Sequence, residues 1–276
     1  MSKGDKAQDR RGGRRRDRGG VPDRLRRAPA SYGDRSNRVV YVACEGSKTE
    51  PDYVSLLNKT YGRDKNFWLK YCYPGHTNGL DPVETVEQVL MEAGPGDEKW
   101  ALFDRDADDN RDRKIPDAMR LAADEGVQAA LSHPSFELWL LLHFQHWTGQ
   151  EHGHDEKVKD RLRRHKDAKG FKDYDKASGD RGKGLNDERG KALLGREAAA
   201  VRNARKLVKA CPSGRCSADR IEKIAPLPAD GTEKYAEWTA RTGHAPGCDP
   251  LKRDPSTDVW RLLVGLGLGT EEDGGR

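Results

Sequence analysis

Short apolar runs and amphipathic segments take turns along the first half of the chain. "VVYVAC" (39–44) is a β-branched, apolar run of strand length, and in "TEPDYVSLLNKTYG" (49–62) the residues Val54, Leu57 and Tyr61 share one helical face. Thr49 is the expected N-cap of that helix, Pro51 lies in its first turn and Gly62 ends it. "FWLKYCY" (67–73) predicts a second strand and "DPVETVEQVLMEAG" (81–94) a second helix, capped by Asp81, with Val83, Val86 and Leu90 as its apolar stripe. A third strand "KWALF" (99–103), a helix over 115–125, a fourth strand "VQAAL" (127–131) and an apolar helix "FELWLLLHF" (136–144) complete the series. Strands alternating with helices predict an α/β fold with an open, mainly parallel sheet flanked by helices, because each parallel connection needs a crossover.

Past residue 150 the strand rhythm stops. A charge-dense, glycine-interrupted stretch predicts short helices or loops, followed by a helix over 191–209 with Leu194, Ala198, Val201 and Val208 available for burial. "STDVWRLLVGL" (256–266) predicts a closing helix capped by Ser256 or Thr257. Three regions follow: a tail (1–38), an α/β core (39–148), and a mostly helical or irregular C-terminal region (149–276) packing on that core.

Charge changes the picture at one end. Residues 1–38 hold 13 Lys and Arg against 5 Asp and Glu, a net +8, which leaves 38 basic and 41 acidic residues in the remainder. With almost nothing apolar to bury, this Arg-rich segment is expected to be disordered and either to attract a phosphate backbone or to aid solubility. No run approaches the ~18 apolar residues of a membrane span, and no signal-peptide core is visible, so a cytoplasmic protein without membrane partners is expected. Five scattered cysteines fit a reducing compartment. Cys211 and Cys216 in "CPSGRC", with His244 and Cys248 in "HAPGC", have the residue types of a Cys3His zinc knot, but the first gap is at the edge of zinc spacing and free thiols are the expected state.

The candidate chemistry lies at strand ends. Ligands of open parallel sheets bind beyond the carboxyl ends of the strands, and Glu45 directly follows the first strand while Asp104 and Asp106 of "FDRDADD" follow the third. Acids converging on one rim need a positive partner, and hard oxygen ligands suit Mg²⁺ or Mn²⁺, which also bind phosphate oxygens. Glu137, at the start of the apolar helix, serves either the helix dipole or the same rim. Gly46 lets the backbone approach a phosphate, and Lys48 and Arg105 are candidates for pairing with its oxygens. His143 is expected to pack within the core, and His133 lies beside the rim without an identifiable partner.

"CEGSKTEPDY", "FDRDADD" and "SHPSFELWLLLHF", in this order, resemble the RloB-like family, whose strand-Glu-Gly and strand-Asp-x-Asp arrangement is similar to the Toprim fold. The resemblance runs from about Val39 to "DPSTDVWRLLVGLG". It implies a Toprim-like core in which Asp104 and Asp106 bind Mg²⁺ and Glu45 transfers a proton or completes the metal shell. It also implies a nuclease acting on DNA or RNA, in antiphage defence, with an ATPase partner. The alternative it leaves open is a non-catalytic regulatory or nucleic-acid-binding subunit of such an ATPase complex.

Overall fold

Residues 38–76, 78–106, 111–176, 182–220 and 234–269 are described by the computed structural model. The apolar runs form the strands expected of them. β1 (Arg38–Cys44), β2 (Phe67–Tyr71), β3 (Glu98–Asp104) and β4 (Gln128–His133) are parallel, and β5 (Ser256–Thr257) runs antiparallel at the edge, in the order β2-β1-β3-β4-β5. The chain leaves β1 toward β2 on one side and returns as β3 on the other. The crevice beyond the carboxyl ends of β1 and β3 is therefore the switch point at which open sheets of this kind take ligands.

Alternating side chains divide the core between the two faces of the sheet. Val40, Val42, Trp100 and Leu102 face a layer built from α1 (Thr49–Leu57), α4 (Phe136–Leu142), α5 (Glu156–Arg164), α6 (Asp187–Leu193), α7 (Glu197–Lys209) and α9 (Val259–Gly265). Ala43, Ala101, Phe103 and Leu131 face α2 (Pro82–Glu92), α3 (Lys114–Asp124) and Trp238 of α8 (Tyr235–Arg241). Residues 37–276 thus make one compact unit, in which the C-terminal region supplies β5 and much of one helical layer. The expectation of a disordered arginine-rich tail falls on residues outside those described, apart from Arg38, which opens β1.

Several boundaries move for physical reasons. Asp81 caps α2 as expected, and the cap is a full box: its carboxylate accepts from Val83 and Glu84 N–H while Glu84 reaches back to the Asp81 N–H. Thr49 does not cap α1. Lys48 occupies the cap position and the Thr49 hydroxyl turns to Tyr174 and Gly184 instead. The helix expected over 191–209 breaks at Leu194–Arg196, where Gly195 takes φ +77°, a left-handed conformation open to glycine. Ser256 and Thr257 are not helix caps but strand residues paired with His133 and Ser132.

Candidate active site

Every strand that ends at the switch point delivers an acid there. Glu45 follows β1, and its N–H continues the ladder to Leu102 O at 2.9 Å. Asp104 ends β3, and its N–H donates to the Glu45 carboxylate at 2.9 Å. Asp104 in turn accepts from Phe136 N–H at 2.9 Å, so it caps α4 from another element while Ser135, in the cap position, does not. Peptide groups thereby tie together the acids of β1 and β3 and the start of α4.

Around them lies a cavity of about 320 Å³ whose walls include Glu45, Glu50, Asp104, Asp106, Glu137 and Asp155. Lys48 and Lys183 bring positive charge to the same wall. Four of the sequence-derived candidates, Glu45, Asp104, Asp106 and Glu137, are thus brought to one place, together with Gly46 and Lys48. Arg105 goes elsewhere. Its guanidinium is engaged by Asp112 at 2.8 Å, by His133 Nε2 at 2.9 Å and by Leu251 O, and it does not line this cavity. His133 finds its partner in the same interaction, and burial lowers its pKa to about 4. His143 packs in the core as expected, with Nδ1 at 3.0 Å from Trp139 O.

Like charges dominate the cavity. Burial, then the facing Glu137, pushes the Glu50 carboxyl up to about 7, against hydrogen bonds from its own and the Gly46 N–H and the charge of Lys183. Burial, then Glu50 and Glu137, also holds Asp104 well above the usual carboxylate range, despite the Phe136 N–H. Gly46 has a second reason to be glycine besides a turn: a Cβ there would lie 2.6 Å from the Glu50 Cδ, inside its carboxylate. Glu137 is oriented by a relay in which Gly184 N–H donates to Thr49 Oγ1, Thr49 to the Tyr174 hydroxyl at 2.8 Å, and Tyr174 to Glu137 at 2.7 Å.

The donor set of this cavity is oxygen only, which fits a hard divalent cation. Among the described residues, the set of His, Cys, Asp and Glu ligand atoms that closes to within 4.8 Å lies elsewhere, at Cys211, Cys216, His244 and Cys248. A wider acidic ring suits Mg²⁺, which keeps several waters and binds through one or two carboxylates. The buried Ser135 hydroxyl on the cavity wall, which has no hydrogen-bond partner among the described residues, adds one more oxygen to that environment.

The sequence model of the RloB-like protein family matches residues 40–266, which spans the sheet, the cavity and the C-terminal layer. The chain belongs to the RloB-like family. Neither a curated protein nor a solved structure matches it. Within this RloB-like protein the residues that sequence reasoning missed fall into two kinds. Glu50 and Ser135 lie inside the strings that carry the resemblance, "CEGSKTE" and "SHPSFE", where an acid or hydroxyl in a first helical turn passes for an ordinary helix start. Asp155, Tyr174 and Lys183 come from the charged, glycine-rich stretch after 150, where no periodicity signals that the chain returns to the cavity.

Proposed function

We propose that this RloB-like protein is a Mg²⁺- or Mn²⁺-dependent nuclease that hydrolyses phosphodiester bonds. The observation that carries the reading is the meeting of Glu45, Glu50, Asp104 and Glu137, delivered by two adjacent strand ends and two helix starts, at one cavity that Lys48 and Lys183 also line. Asp104 and Asp106, with Glu45, are the residues that would hold the cation. The chemistry a divalent cation would supply there is polarisation of the scissile phosphate and acidification of the attacking water.

The protein's own groups supply the rest. Glu45, whose carboxylate accepts from the Asp104 N–H, would accept the water's proton or complete the metal shell. Glu50, whose carboxyl titrates near neutrality, is a second candidate base beside it. Lys48 and Lys183 would hold non-bridging phosphate oxygens as point charges. Tyr174 keeps Glu137 aimed at the cavity. A polymeric substrate is favoured over a small phosphate ester by the net +8 of residues 1–38, which suits a phosphate backbone. An ATPase partner and a role in antiphage defence belong to the same proposal.

The test is cleavage of single- and double-stranded DNA and of RNA by the purified chain with Mg²⁺ or Mn²⁺, alone and with a candidate ATPase partner. Asp104→Asn keeps the shape that caps α4 but loses the charge, and is expected to reduce any cleavage at least ~100-fold. Undiminished cleavage by Asp104→Asn would overturn the assignment. Binding of nucleic acid without cleavage under every condition would favour the regulatory-subunit reading instead.

A further inference from the structure

Among residues that do not line the acid cavity, three sulfurs and an imidazole meet. Cys211 follows α7 and Cys216 lies five residues on, while His244 and Cys248 follow α8. Their candidate ligand atoms all lie within 4.8 Å of one another. Cys211 Sγ is 3.5 Å from Cys248 Sγ, and His244 Nδ1 is 3.4 Å from Cys216 Sγ. A tetrahedral zinc with Zn–S near 2.3 Å and Zn–N near 2.0 Å sets its ligands roughly 3.5–3.8 Å apart. We propose that Cys211, Cys216, His244 and Cys248 form a structural Zn²⁺ site.

The surroundings of Cys216 and Cys248 are those of thiolates rather than thiols. Ala245 N–H points at Cys216 Sγ at 3.3 Å and Arg253 Nε at Cys248 Sγ at 3.4 Å, and a neutral thiol is a poor acceptor for such donors. Three thiolates and one zinc leave a charge of −1, which the buried Arg253 is placed to offset. His244 is fully buried, and its far nitrogen, Nε2, lies 3.1 Å from the Asp258 carboxylate. A ligating imidazole commonly donates its other N–H to a carboxylate, which fixes its tautomer and ring plane. A Cys211–Cys248 disulfide is the rival for two of these residues. Its sulfurs would need to close to about 2.05 Å, and it would leave Cys216 and His244 without a purpose.

Four protein ligands leave no open position, so the site is structural and not catalytic. It joins the end of α7 to the segment after α8. Through Asp258, whose N–H donates to Leu131 O of β4, it also holds the step from β5 into α9. The site thereby pins Cys216 to His244, which lie 28 residues apart in sequence.

The experiment uses the full chain, purified under reducing conditions without added metal, with zinc per chain read by inductively coupled plasma mass spectrometry. About one zinc is expected in the wild type and in Cys72→Ser, and under about a tenth in Cys248→Ser and Cys216→Ser. Asp104→Asn, at the acid cavity, must keep its zinc. Its loss there would assign the metal to the acids and overturn the proposal, whereas failure of the nuclease reading would leave the zinc content untouched. Should the cysteine variants be insoluble, chelator-stripped wild type answers instead. One equivalent of Co²⁺ is expected to give thiolate charge-transfer bands and the intense visible bands of a tetrahedral site. Zinc-free wild type that shows no such bands, or a Cys211–Cys248 disulfide in rapidly alkylated protein, would refute the site.

Discussion

Glu50 is buried in the first turn of α1 beside a glycine that makes room for it, which is an expensive place for a carboxylate. With its folded pKa raised from 4.5 to about 7, by burial first and Glu137 second, the folded protein holds more protons than the unfolded chain between those values. Stability contributed at this position therefore falls as pH rises through that window. Asp104, pushed up for the same reason, acts with the same sign. In chelating buffer, Glu50→Gln is expected to match the wild type near pH 4.5 and to exceed it at pH 8 by up to about 3 kcal/mol. Urea denaturation of both proteins at the two pH values checks this, and an equal gap at both would count against it. At this scale the acids that follow strands were legible, because a strand-to-carboxylate step is visible in the order of residues. Glu50 was not, because an acid at a helix start has a commoner explanation in the dipole. Arg105 is adjacent to Asp104 in sequence yet does not line the cavity, because successive side chains in a strand's continuation turn to opposite sides.

Among the elements, the turn after α1 shows what holds the edge of the sheet. Asn58 accepts from Leu69 N–H and donates to Leu69 O, both at 2.7 Å, so one side chain occupies the outward-facing peptide groups of β2 at that residue. Asn58→Ala would strand two partly buried backbone groups on an edge strand. A loss of about 1–3 kcal/mol is expected, read as a lower urea midpoint with an unchanged slope. A change within error would mean that water replaces the amide fully. The long periodic segments were legible at this scale, since α2, α3 and α4 start within a residue of where the apolar stripe and caps put them. What was hidden is short or broken. The two residues of β5 are too few to show a period, and Gly195 interrupts a stretch whose composition is otherwise uniformly helical.

At the level of the whole molecule, charge is divided unevenly along the chain. Deleting residues 1–37 removes 12 basic and 5 acidic residues from a chain whose remainder is close to neutral. If these residues engage a nucleic-acid backbone, the deletion is expected to flatten the salt dependence of binding by several units of log–log slope and to weaken binding ~10-fold or more at low salt. Fluorescence anisotropy across a sodium chloride series, on an Asp104→Asn background to prevent cleavage, measures both. An unchanged slope would assign that charge to solubility alone. The parallel α/β class was legible from alternation, and the position of the acids followed from a general rule about strand ends. The closing of the cavity by the C-terminal half was not, because Asp155 and Lys183 reach it from residues whose pattern carries no period at all.

The carboxylate-to-amide contacts Glu45–Asp104 and Asp104–Phe136 bridge sequence separations of 59 and 32 residues, yet each is made to a main-chain group. Such contacts do not depend on which side chain the donor residue bears, nor on how long the intervening connections are. This acid cluster can therefore tolerate insertions and wholesale resurfacing of its connections during divergence, while a one-residue slip in the pairing of β1 with β3 would dismantle it.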